Sequence, residues 1–392
     1  MDQKLIFHID VNSAYLSWTA VEKLKNGDAL DLREIPSIIG GDMASRHGVV
    51  LAKSIPAKAY HITTGEPVAH ALQKCPNLLL VPPDHKLYDS YSKRLMELLV
   101  TFCPRIEQVS IDECYMDFTG YEKPYGNPIT AACAIKDAVR DAFGFTVNIG
   151  ISSNKLLAKM ASDFQKPDRV HTLFPEEIPA KMWPLPVRDL FMVGKSSAAT
   201  LEKMEIRTIG DLARTNVKIL ESHMKSHGRL IWEFANGIDD SPVHTEESEL
   251  KCVGNSTTLS RDAETAMEAK ETIRSLCRQV SSRLKRYHQL AGMVSTEIRY
   301  ASFVRVSHQM QLPAVTDEES ILYHHACLLF DELWNGEPIR LLGVRTSKLA
   351  AEPEPVQMTL FDLPKTQKEL RAEKAMQSIQ ERFGKDVIKK GF

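Results

Sequence analysis

The feature that most constrains this chain is a short apolar run that stops on an acid, Lys4-Leu-Ile-Phe-His-Ile-Asp10. Such a run reads as a buried strand whose last residue emerges at the edge of a sheet. Far down the chain, Arg105-Ile-Glu-Gln-Val-Ser-Ile-Asp-Glu-Cys-Tyr-Met-Asp-Phe118 reads as two strands with Asp112-Glu113 at or beside the turn. Taken alone, that acidic pair is equally well a polar hairpin turn. Joined to Asp10 it becomes three carboxylates in one cleft, which repel unless a cation stands among them. Hard oxygen donors without nearby His or Cys favour Mg²⁺, and two such ions about 4 Å apart suit phosphoryl transfer.

The elements between these runs fix the topology. A helix is expected over Ala14–Lys25, and Arg33–Pro67 is broken by glycines and prolines around short β-rich runs, a small separate insertion. Asp84–Cys103 reads as helix, as do Pro128–Phe143 and Asn154–Phe164, with a strand over Thr146–Ile149 between the last two. Without the insertion, the order is strand, helix, strand, strand, helix, strand. That is the split βαβ of a ferredoxin-like sheet, and it places Asp10 and Asp112-Glu113 on adjacent central strands. The class is α+β.

The remainder divides again. Pro167–Asp239 reads as mainly helical, and Val187–Ala213 as a helix-hairpin-helix. The acidic stretch Asp239–Glu249 reads as a linker. Lys251–Leu349 reads as a second α/β unit: a helix around Glu264–Arg286, strands at Gly292–Tyr300 and Val304–Leu312, a helix around Glu318–Trp334 and a strand at Arg340–Thr346. Ala350-Ala-Glu-Pro-Glu-Pro355 reads as a tether. Several cores suit a length of 392 residues.

Composition excludes other classes. An apolar fraction of 43% and a charged fraction of 26% describe a globular protein, with no run approaching the roughly 20 apolar residues of a membrane helix. Asp10 interrupts the start before a signal-peptide core forms, so a cytoplasmic protein is expected. Seven scattered cysteines without a CxxC pair fit reduced thiols. A net charge of −2 leaves no overall positive charge to attract a polyanion, so any basic surface is local.

Three blocks carry a resemblance: Asp10-Val-Asn-Ser-Ala-Tyr15, Ser110-Ile-Asp-Glu-Cys-Tyr-Met-Asp117 and Gly150-Ile-Ser-Ser-Asn-Lys-Leu-Leu-Ala-Lys-Met-Ala-Ser-Asp163. Over almost its whole length the chain resembles the Y-family, or lesion-bypass, DNA polymerases of the bacterial DNA polymerase IV type. The resemblance implies a ferredoxin-like catalytic palm (1–25 and 75–166), a small fingers insertion (26–74) and a helical thumb with the helix-hairpin-helix (167–238). A linker (239–250), an α/β little finger (251–349) and a tail (350–392) follow. It implies that Asp10, Asp112 and Glu113 are the catalytic metal carboxylates for two Mg²⁺ ions, with the backbone carbonyl of Val11 completing the shell. Tyr15 falls at the steric gate against the sugar 2′-hydroxyl, and Lys58 and Lys166 at positions that grip the triphosphate.

Gly194 and Lys195 of the hairpin, and Arg299, Arg305 and Arg345 of the little finger, would meet DNA phosphates, indifferent to sequence. Gln357-Met-Thr-Leu-Phe361 is similar to the pentapeptide by which bacterial polymerases dock on the sliding clamp: Leu360 and Phe361 as apolar anchors, Gln357 fixing register. Such tethering raises effective concentration and offsets the weak charge. Departures fall at Asn12, where many relatives have a second aspartate, at Ala14, at Ser54-Ile55-Pro56, and at Met192, where the usual first hairpin glycine is lost.

The implied activity is template-directed addition of deoxynucleotides to a primer 3′ end: low-fidelity translesion synthesis without proofreading, by a monomer acting on primer-template DNA and deoxynucleoside triphosphates. The alternative is a DNA- and clamp-binding protein whose altered nucleotide contacts have cost it activity.

Overall fold

In the computed structural model, residues 4–42, 48–246 and 249–351 are described. The apolar run before Asp10 folds as β1 (Ile6–Val11), buried along its whole length. A left-handed turn at Ser13, φ +50°, sends the chain into α1 (Ala14–Lys25). The insertion follows as β2 (Ser37–Gly40), β3 (Val50–Lys53), α2 (Ile55–Lys58), α3 (Val68–Lys74) and β4 (Leu79–Val81). Its strands form a three-stranded sheet, β3-β2-β4, over a small core that includes Ile38, Val50, Ile62 and Val68.

The chain then returns through α4 (His85–Val100), β5 (Ile106–Gln108), β6 (Glu113–Asp117), α5 (Pro128–Phe143), β7 (Val147–Ser152), α6 (Lys155–Asp163) and β8 (Val170–Thr172). These complete a five-stranded sheet, β5-β6-β1-β7-β8. Its antiparallel part, β7-β1-β6-β5, is the split βαβ order expected from the sequence. β8 is an added strand parallel to β7, lying in a stretch read as helical. Three residues are too few to display a period.

Helices start where side chains cap them: Asp84 accepts from Leu87 N–H, Asn127 from Thr130 N–H and Asn154 from Leu157 N–H. One face of the sheet buries Phe7, Ile9 and Val11 among Trp18, Tyr91, Leu95, Ile135 and Val139. The other face takes α6, and there Gly150 decides how close the helix comes: a Cβ at that position would lie 1.9 Å from the Ala158 carbonyl oxygen. Only glycine leaves room for α6 to lie directly on the strands.

Helices α7 (Ile178–Lys181), α8 (Lys195–Lys203), α9 (Ile209–Arg214), α10 (Val217–Met224) and α11 (Ser226–Ala235) share a core that includes Leu190, Leu201, Ile209, Leu220 and Ile231. The acidic linker is not free at its start: the Glu107 carboxylate accepts the His244 N–H at 2.8 Å and pairs with Lys155 at 2.7 Å.

The chain divides into two compact units, 1–248 and 249–392. The second contains β9 (Cys252–Ala263), α12 (Ala266–Arg286), β10 (Leu290–Tyr300), β11 (Arg305–Thr316), α13 (Glu319–Leu333) and β12 (Ile339–Ala350). Its antiparallel sheet runs β11-β10-β12-β9. Both sheets split a βαβ, but the central pair here is the second and fourth strands, whereas in the first unit it is β1 and β6. β9 was not expected. On β10 the buried Val294, Thr296, Ile298 and Tyr300 alternate with Ser295, Glu297 and Arg299. The Thr296 hydroxyl donates to Ala326 O and the Tyr300 hydroxyl to Leu333 O, so the buried face is the one under α13. Among the described residues, no helix is long and apolar enough to cross a membrane.

Candidate active site

The β1–β6 ladder sets Asp10 directly opposite Glu113. Val11 N–H donates to Asp112 O at 3.1 Å, tying the hairpin to the end of β1. Asp10 is only 6% exposed. Burial raises its pKa above the ordinary carboxylate value, opposed by Lys166 and Lys159 and reinforced by Glu113. Lys159 Nζ lies 2.6 Å from Glu113 Oε1 and 3.9 Å from Asp10 Oδ2, and Lys166 pairs with Asp10. The Asp112 carboxylate instead accepts from Ser110 Oγ at 2.7 Å.

The structure therefore brings Asp10 and Glu113 together and leaves Asp112 on its own turn. Among the described residues, no three His, Cys, Asp or Glu side chains gather as a metal-binding group. The donors nonetheless fit a hard divalent ion. They are oxygens alone, one of them buried, and two ammonium groups now supply the positive charge that such an ion would bring.

Beneath the pair, His8 is fully buried, with Nδ1 2.8 Å from Ser162 Oγ. Burial, then Lys159 and Lys166, hold its pKa well below the ordinary histidine value. Its 4.0 Å approach to Glu113 is therefore a contact of neutral imidazole and not an ion pair.

Beside Asp10 opens a cavity of about 330 Å³ whose walls include Ser13, Arg33, Ile55, Lys58, Thr146 and Lys166. No side chain caps the α1 N-terminus, and Asn12, Ser13 and Ser17 there line the same cavity. Its backbone donors and positive dipole end suit an anion. Arg33 is braced by Asp31 and by Gly144 O, the latter at 2.7 Å. Asn12 is buried, and its amide reaches Thr146 Oγ1 at 3.1 Å. Lys58 ends α2 as an exposed residue. Tyr15 stacks on Tyr88, centroids 4.3 Å apart and planes within 7°, and the Tyr88 hydroxyl is 3.1 Å from Thr19 Oγ1. The ring is thus held from a second helix.

The other expected contacts scatter. Gly194 caps α8 and Lys195 opens it. Met192 holds φ +70°, so the backbone adopts the left-handed turn that a glycine would occupy without strain. Arg305 and Arg345 line one groove of about 650 Å³ on the four-stranded sheet, with Ser295, Ser307 and Ser347. Arg305 is engaged by Glu297, and Arg345 reaches Cys252 Sγ at 3.2 Å. Arg299 sits opposite Arg305 in the ladder but does not line that groove. Gln357, Leu360 and Phe361 lie outside the described residues.

Arg33, Tyr88, Ser110 and Lys159 escaped the sequence reading. Lys159 lies within the third block, and with Asp163 it stands at helical i, i+4 spacing, a signal that places it on the α6 face carrying that acid.

The profile of the impB/mucB/samB family matches residues 9–163, and that of the family's C-terminal domain matches 250–360. DNA polymerase IV of Clostridium acetobutylicum is 47% identical over 98% of this chain and 97% of its own. DNA polymerase IV 1 of Bacillus subtilis is 34% identical over 99% of this chain and 92% of its own. The solved structure of a Y-family DNA polymerase chimera shares the fold, with TM-score 0.76 over 89% of this chain and 100% of that one at 20% identity. With identity of this order over nearly all of both chains, this chain belongs to the Y-family DNA polymerases, in the DNA polymerase IV group of the impB/mucB/samB family.

Proposed function

We propose that this chain is a low-fidelity, translesion DNA-directed DNA polymerase that adds deoxynucleotides to a primer 3′ end. The observation that carries the reading is the pairing of Asp10 with Glu113 beside a cavity walled by Arg33, Lys58 and Lys166. Lys166 belongs to both, lining the cavity and pairing with Asp10. Asp10, Asp112, Glu113 and the Val11 carbonyl would hold divalent ions, Mg²⁺ by the hardness of their oxygens, and such ions neutralise charge developing on the phosphate being transferred.

The chain's own residues do the rest. Arg33 and Lys58 attract the triphosphate, and Lys166 turns from Asp10 to its oxygens. The bare α1 N-terminus receives a phosphate oxygen. Tyr15, fixed against Tyr88, bars a ribose 2′-hydroxyl. The palm, fingers, thumb and little finger correspond to the five-stranded sheet, the three-stranded insertion, the helical region and the second unit. Residues 357–361 dock on a sliding clamp, and the protein works in the cytoplasm as a monomer.

Primer extension with Mg²⁺ tests the reading: Asp112→Ala is expected to lose extension; equal extension by wild type and variant would remove Asp112 from the chemistry, and no extension by wild type would leave a non-catalytic DNA-binding protein. Tyr15→Ala is expected to incorporate ribonucleotides more readily, checked by single-nucleotide insertion. Deleting 357–361 is expected to abolish clamp stimulation while basal extension persists.

A further inference from the structure

The two lysines at the acid pair differ in where they come from. Lys166 lines the cavity. Lys159 is absent from the cavity walls and rises from α6, against the covered face of the sheet. Its side chain is 12% exposed, and its ammonium lies within 4 Å of three carboxylates: Glu113 at 2.6 Å, Asp163 at 3.6 Å and Asp10 at 3.9 Å.

Its root is fixed as well. Gly150 lets α6 lie on β7, Ser162 Oγ donates to Lys159 O at 2.8 Å, and the same Oγ contacts His8 Nδ1 on β1. Lys166 can swing to an incoming anion, whereas among the described residues Lys159 has only Glu113, Asp10 and Asp163 within reach.

We infer that Lys159 is a built-in counter-cation of the Asp10–Glu113 pair, holding the two acids side by side when no divalent ion is bound and competing with that ion for them. The inference rests on the reading that Asp10 and Glu113 hold the ion. The charge count gives the sign: Asp10, Glu113 and Asp163 with Lys159 and Lys166 carry −1, and −2 without the Lys159 ammonium. Removing the ammonium therefore tightens ion binding and makes the ion-free protein less stable, because two facing acids in a partly buried site repel. The presence of Lys159 keeps the acids ordered at the cost of affinity.

The test uses the full chain, with Mn²⁺ binding followed by electron paramagnetic resonance and thermal melts in EDTA and in Mg²⁺. Asp10→Asn supplies the baseline for ions bound elsewhere. Lys159→Met is expected to bind Mn²⁺ on the order of 10-fold more tightly than wild type, from one unit charge removed near the ion. It is also expected to melt lower in EDTA and to recover toward wild type as Mg²⁺ is added. Lys159→Arg keeps the charge and is expected to bind as wild type does. Lys159→Gln, a polar neutral replacement, is expected to follow Lys159→Met and guards against a variant that fails to fold. Unchanged or weaker binding in both neutral variants would overturn the inference while leaving the carboxylates as ion ligands. Wild-type binding no stronger than that of Asp10→Asn would overturn the ion-ligand reading and this inference together.

Discussion

The two larger sheets share a βαββαβ order and use it oppositely. The five-stranded sheet is covered on both faces: β1 is buried at every residue, with the aromatic core on one side and α6 on the other. With β1 covered on both sides, its acidic group is at the strand end, where Asp10 meets Glu113. The four-stranded sheet is covered by helices on one face only, and its other face carries Ser295, Arg305, Ser307, Arg345 and Ser347. A one-sided sheet offers a broad polar surface and no enclosed point for catalysis. In the function proposed above, the same supersecondary unit serves as a reaction site or a gripping surface according to how many of its faces are packed.

The comparison breaks first at the acids. Glu113→Gln is expected to lower primer extension by at least about 100-fold, read by single-turnover kinetics, with DNA affinity unchanged. A comparable loss of DNA binding would mean that the strand end also grips. Next is the packing itself. Gly150→Ala forces a Cβ to within 1.9 Å of Ala158 O and 2.5 Å of Ser162 N. It is expected to destabilise the first unit by about 3 kcal/mol or more in denaturant unfolding. Gly343→Ala on the open sheet meets Ser256 Cβ at 3.2 Å, a contact that a shift of a few tenths of an ångström relieves. It is expected to cost about 1 kcal/mol or less, and equal costs would remove the covered-versus-open distinction.

The gripping surface is tested by salt. Arg305→Ala with Arg345→Ala is expected to reduce the slope of log affinity against log salt by about 2, leaving the rate of chemistry in place. The smallest expected effect is at the hairpin. Met192→Gly relieves a left-handed non-glycine residue and restores chain entropy to the unfolded state, a net stabilisation of about 0.5 kcal/mol, measurable as a shifted melting midpoint.

The covered sheet was the more legible in the sequence, for a physical reason. A strand buried on both faces is a dense apolar run, and one acid at its end is conspicuous, so Asp10, the hairpin and the split topology could all be read locally. β9 escaped because its text, Cys252-Val-Gly-Asn-Ser-Thr-Thr-Leu-Ser-Arg-Asp-Ala263, is dominated by the polar residues of an edge strand on an open face. Glu264–Arg286 was legible as helix because Thr265 and Glu268 mark its start. The roles of Lys159, Arg33 and Tyr88 depend on partners far along the chain: Glu113 for the first, Gly144 for the second, Tyr15 for the third. No local pattern announces such pairings.

Under the proposed gate role of Tyr15, its stack on Tyr88 makes selection of the sugar the property of two residues. A ring that must refuse an oxygen atom discriminates only as sharply as it stays still, and here its stillness is borrowed from α4. On that proposal, Tyr88 is a tuning screw one step removed from the nucleotide. Shrinking it would loosen the refusal by degrees, where altering Tyr15 abolishes it at a stroke.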